Sequence, residues 1–168
     1  MKDDAIKEMR KLTRKNLHAL WEIAKNGNLD VLSGEQKWLA KVMLDHEDEY
    51  FNQFEMADLT YDYEYDVDSE ENPFLHITLH AAVERQLEAE DPIEVYQFYN
   101  SMRKNKISHH DTIHLTAAIL APLMFNVMQQ RKEFDLDKYK SLLRKYKNNR
   151  PGKIYESMEK DPDPLSQE

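Results

Sequence analysis

The chain has 168 residues, about one domain's worth, and enough to bury roughly two-thirds of its unfolded surface in a single core. It contains no cysteine, so thiolate metal sites, disulfide frameworks and cysteine nucleophiles are excluded, and any metal must take nitrogen and oxygen ligands. A net charge of -9 argues against a general phosphate-binding surface, so no nucleic-acid partner is expected.

Charged residues at 33% beside hydrophobic residues at 40% suit amphipathic helices better than strands. The expected fold class is all-α: an antiparallel helical bundle of five to six helices over residues 1–148, with an acidic connecting loop and a flexible tail over 149–168. The opening Met-Lys-Asp-Asp-Ala-Ile-Lys-Glu lacks the apolar core of a secretory signal, and no apolar run approaches the eighteen or so residues of a membrane span. A cytoplasmic protein without a membrane partner is the expectation.

The first helix should run from Asp3 to Asn26, with Ile6, Met9, Leu17, Leu20, Trp21 and Ala24 at helical spacing and Gly27 capping its end. Ser33-Gly34-Glu35-Gln36 has the form of a capping box, so a second helix is expected from there to Met56, with His46 in its later half. Ala57 to Glu71, acidic and rich in tyrosine, reads as a loop. Asn72-Pro73 supplies a cap and a proline at the first helical position, opening a third helix to Glu90. Asp91-Pro92 should repeat that device for a short fourth helix, Ile93 to Arg103. Ser108 caps a long fifth helix to Lys132, in which Pro122 predicts a kink. A sixth helix, Asp137 to Lys147, precedes the tail, where Arg150-Pro151-Gly152 and Asp161-Pro162-Asp163-Pro164 offer little periodic apolar content.

Charge is unevenly placed along this order. No basic side chain occurs between Lys41 and Arg85, while acids from Asp45 to Glu71 crowd the same stretch, and Lys and Arg gather toward both ends. The ordinary explanation is solvated faces of opposite sign. The acidic loop 58–71 and the basic C-terminal helix are the surfaces through which a protein partner, or a second copy in a homodimer, would be recruited.

The histidines carry the chemistry. His76 and His80 are four apart, as are His110 and His114, a spacing that stacks two imidazoles on one helix face within reach of a single ion. If the short fourth helix returns the chain, the third and fifth helices run parallel and both pairs fall at one end. The second helix would then bring His46, Glu49 and Tyr50 to the same end, with Tyr50 and Glu84 orienting the rings. The candidate ligand set is therefore His46, His76, His80, His110, His114, Glu49 and Glu84, a nitrogen-rich set suited to a divalent transition metal such as zinc, iron or manganese. His18 and His109 read as surface or capping residues. No histidine follows a glutamate by three residues, so the carboxylate-rich diiron pattern is absent; a hemerythrin-like site fits the histidine count better but has no carboxylate at the hemerythrin spacing, and a hydrolytic centre is the other expectation. In a hydrolytic centre Glu49 or Glu84 would be the base. The competing expectation is a non-enzymatic interaction or structural protein whose histidines only hydrogen-bond near the core.

The run Asn72-Pro73-Phe74-Leu75-His76-Ile77-Thr78-Leu79-His80 resembles the signature of a small bacterial family classed as a domain of unknown function, number 1841. The resemblance extends to Leu44–Tyr50 and to the second paired-histidine helix, covering Val31 to Lys132, with a looser likeness in the first helix and additional sequence after Lys132. It implies a helical fold and singles out His46, His76, His80, His110 and His114 without assigning them an activity. The chain departs from the family pattern at Arg85, where a glutamate is expected and Glu84 stands one position earlier, and at Ala118 and Pro122, where acids are expected.

Overall fold

A computed structural model describes residues 2–66, 69–130 and 132–160. Among them there are eight α-helices and no strand: α1 (Lys2–Lys25), α2 (Gly34–Asp45), α3 (Glu47–Glu55), α4 (Pro73–Ala89), α5 (Ile93–Lys104), α6 (His109–Gln130), α7 (Leu136–Tyr146) and α8 (Pro151–Lys160). The all-α expectation holds, but there are more helices than the five or six expected. The expected second helix is split at His46, and a helix forms where a tail was expected.

The chain divides into two compact units, Met1–Ala81 and Ala82–Glu168, with the boundary inside α4. In the first unit α1 packs on α2 and α3. Leu17, Leu20, Trp21 and Ala24 of α1 form one buried cluster with Ala40, Val42 and Met43 of α2, Tyr50 and Phe54 of α3, and Phe74, Ile77 and Ala81 of α4. The expected apolar stripe of α1 is thus buried only in its later half; Ile6 and Met9 are exposed. Gly27, at φ 76°, closes α1: its N–H reaches Ala24 O at 3.0 Å and Asn28 N–H reaches Ile23 O at 3.2 Å, the pair of bonds that only a left-handed residue can set up here. Ser33 precedes α2 in extended conformation, but its side chain makes no capping bond, so the capping box is not realised.

In the second unit α5 packs on α6 and α7, and α6 on α7. Its buried apolar residues include Val95, Phe98, Met102, Ile113, Leu115, Ile119, Leu120, Leu123, Tyr139, Leu143 and Tyr146. Pro92 is the residue before α5 rather than its first helical position, and no side chain caps the helix, so Asp91-Pro92 does not repeat the Asn72-Pro73 device. Ser108 does cap α6, accepting from Asp111 N–H at 3.0 Å while its hydroxyl donates to Asp111 Oδ2 at 2.6 Å. That helix continues through Pro122. Its stretch His109–Met128 is long and apolar enough to cross a membrane by length and composition, which corrects the expectation that no such run exists. Ile113, Leu115, Ile119, Leu120 and Leu123 of this stretch are buried among the core residues. Pro151 opens α8, and Ile154 is fully buried, so one anchoring side chain and a favourable first residue suffice where the sequence offered little periodicity. Residues 161–168 of the expected tail lie outside the described residues.

Candidate metal centre

His46 stands between two helices. It closes α2 and opens α3 with φ −112° and ψ 16°, so the backbone leaves the helical path there. Its N–H still reaches back to Val42 O and Met43 O, and its carbonyl accepts from Glu49 and Tyr50 N–H, which keeps both helix ends satisfied across the break. The ring is buried, and its Nδ1 lies 2.8 Å from Val42 O. A carbonyl oxygen can only accept, so we assign the ring proton to Nδ1 and the lone pair to Nε2.

α4 presents the next two rings. Asn72 Oδ1 accepts from Phe74 and Leu75 N–H at 3.0 and 3.1 Å, and Pro73 has no N–H to leave unsatisfied, so the helix starts as the sequence predicts. His76 and His80 follow one turn apart, with ring centroids 4.4 Å from each other and planes 28° apart. Both approach His46 edge-on, at 4.8 and 4.7 Å between centroids. One ring nitrogen from each of the three lies within 4.8 Å of the others.

Glu71, just before the cap, ties the arrangement together. Its Oε1 is 2.6 Å from His76 Nδ1, and its Oε2 accepts from the Tyr50 hydroxyl at 2.6 Å. An ionised carboxylate accepts, so Nδ1 of His76 also carries its proton. The two Nε2 atoms of His46 and His76, 3.1 Å apart, then direct lone pairs at each other. Only a positive charge between them, a proton or a metal ion, makes that geometry favourable. Two nitrogens held about 2.0–2.1 Å from one metal ion stand roughly 2.8–3.4 Å apart at angles between square and tetrahedral, and the separation of 3.1 Å falls in that interval. Burial pushes the Tyr50 phenol above its ordinary range and the neighbouring Glu71 carboxylate pushes it further, so the residue stays a neutral donor. Its ring lies nearly parallel to His46, 9° apart with centroids at 6.0 Å.

The other expected site residues are taken each within its own unit. Glu49 is exposed in the first turn of α3, on a side of the helix set by the break at His46 rather than by a continuous second helix. Glu84 accepts from His109 Nε2 at 2.7 Å. His110 and His114 meet each other in the second unit, 4.5 Å between centroids. His18, half-buried, lies 3.6 Å from Glu22 and 3.9 Å from Asp58. Glu71 was not singled out in the sequence, where it is one acid among many. The signal that could have found it is position: it immediately precedes the Asn72 cap and stands five residues before His76.

The sequence profile of a domain of unknown function, DUF1841, matches residues 9–145. The chain belongs to the DUF1841 family. The match includes α1 from Met9 and α7 up to Lys145, so residues 133–145 belong to the family rather than being additional to it, as does α1 from Met9. All three histidines of the cluster, Glu71 and Tyr50 lie inside the matched region. No curated protein and no solved structure matches the chain.

Proposed function

We propose that this DUF1841 protein holds a divalent transition metal on His46, His76 and His80, and that the site serves metal-assisted hydrolysis. The observation that carries the reading is the facing Nε2 pair, 3.1 Å apart, on two rings whose Nδ1 protons are committed to Val42 O and Glu71. Ring nitrogens backed by a carbonyl or a carboxylate are the usual setting of metal-ligating histidines, because the outer bond fixes the tautomer and raises the basicity of the ligating nitrogen. Three neutral nitrogens without a thiolate suit zinc, iron or manganese.

When bound, such an ion supplies Lewis acidity and a water of lowered pKa. The chain's own residues hold and orient it. Both Glu71 oxygens are engaged, one by His76 and one by Tyr50, so Glu71 is a positioning group rather than the base. A cytoplasmic setting is part of the same reading.

Cobalt(II) titration of metal-stripped protein, followed by visible absorption, tests it. A saturable band at one equivalent, lost in His46→Ala and in His76→Ala, is expected. An unsaturable or featureless titration of the wild type, or a band unchanged in both variants, would overturn the metal reading.

A further inference from the structure

Outside the three-histidine cluster, the second unit holds another histidine whose two ring nitrogens are both spoken for. His109, the first residue of α6, places Nε2 at 2.7 Å from Glu84 Oε1 of α4 and Nδ1 at 2.8 Å from the Tyr99 hydroxyl of α5. Three helices therefore contribute one polar group each. The supports are firm: Phe98, beside Tyr99, is fully buried, and the Ser108–Asp111 cap fixes the turn from which His109 projects.

Proton direction follows from the partners. The Glu84 carboxylate accepts, so Nε2 of His109 carries the proton, and Nδ1 of the neutral ring is left to accept from the phenol. The order is phenol to imidazole to carboxylate, a hydroxyl with a base in hydrogen-bond reach and a third group orienting that base. The start of α6, where backbone N–H groups point outward, also favours negative charge growing on the nearby phenol oxygen. The site is open to reagents, with the His109 side chain 50% exposed, while the Glu84 side chain is only 15% exposed.

We propose that Tyr99 is a base-assisted nucleophile, with His109 as its proton acceptor and Glu84 positioning His109, and that the three form a covalent site for electrophiles of the acyl-transfer class. With an aryl sulfonyl fluoride as probe, the Tyr99 oxygen attacks sulfur and an S–O bond forms. The S–F bond breaks, and fluoride leaves with the electron pair. The phenol proton passes to His109 Nδ1 and from there to solvent.

The test is labelling of the full-length protein with that reagent, adducts being located and timed by peptide mass spectrometry. Tyr96, 37% exposed on the same helix, is the internal reference. Tyr99 should react at least about tenfold faster than Tyr96, less than the roughly 10²- to 10⁴-fold of full general base assistance because the relay is half exposed. His109→Gln and Glu84→Gln should each remove that advantage while leaving the Tyr96 rate and helical circular dichroism unchanged. A wild-type Tyr99 no faster than Tyr96, an adduct that sits on His109 instead, or a Tyr99 rate indifferent to His109→Gln would each overturn the proposal. Metal content is not an outcome of this test, so its failure would leave the three-histidine reading standing.

Discussion

Two histidine-centred groups in this molecule use the same side chain in opposite ways. In the first unit, His46 and His76 each tie Nδ1 to an acceptor and turn Nε2 inward toward a neighbouring imidazole. In the second, His109 gives one nitrogen to a carboxylate and the other to a phenol, and sits half in solvent. What separates a ligand from a base is where the remaining lone pair points: at other lone pairs in a buried cluster, or at a hydroxyl that can give up a proton.

The largest expected effect that would break the comparison lies at the inward-facing pair. His46→Ala or His76→Ala should abolish stoichiometric metal in purified protein, whereas His109→Gln should leave it intact; elemental analysis of the variants decides. Glu71→Gln keeps the shape but removes the carboxylate behind His76, and should weaken metal binding by about 10- to 100-fold in chelator competition. Wild-type affinity in that variant would reduce Glu71 to a surface acid.

Tyr50→Phe removes the hydroxyl that holds Glu71, an effect of about threefold to fivefold on the same affinity, corresponding to one net hydrogen bond of about 1 kcal/mol. The effect furthest from either histidine group concerns stability: Tyr139 of the second unit has a phenol that burial pushes well above its ordinary range. The unfolded chain loses that proton above pH about 10 while the folded chain keeps it, so stability is intact below that pH and falls as pH rises through it, by at most about 1.4 kcal/mol per pH unit. Chemical denaturation between pH 9 and 11 should show the decline, with a shallower slope in Tyr139→Phe.

Much of this could be read from the sequence because it depends on local signals. The Asn72-Pro73 start of α4, the Gly27 close of α1 and the Ser108 start of α6 are short-range capping events, and each falls where the residues place it. The pairing of His76 with His80 follows from helical spacing, and the arrival of His46 beside them agrees with the expectation for that ring. The break at His46 was hidden because the apolar periodicity runs on through it, while the cause is a buried ring bonding its own helix at Val42. Glu71 was hidden by composition: among so many acids only a tertiary contact marks one. The helix at Pro151–Lys160 was missed because one buried residue, Ile154, leaves no periodic trace. The contact between Glu84 and His109, 25 residues apart, carries no spacing signal and is tertiary.

The most direct test of the central claim is elemental analysis of protein purified without a histidine tag, wild type beside His76→Ala. The account predicts near-stoichiometric zinc, iron or manganese in the wild type and its loss in the variant, with the helical circular dichroism retained. A wild type free of metal after growth and dialysis in metal-supplemented medium, with the variant merely less stable, would contradict it and make the facing nitrogens a proton-sharing pair.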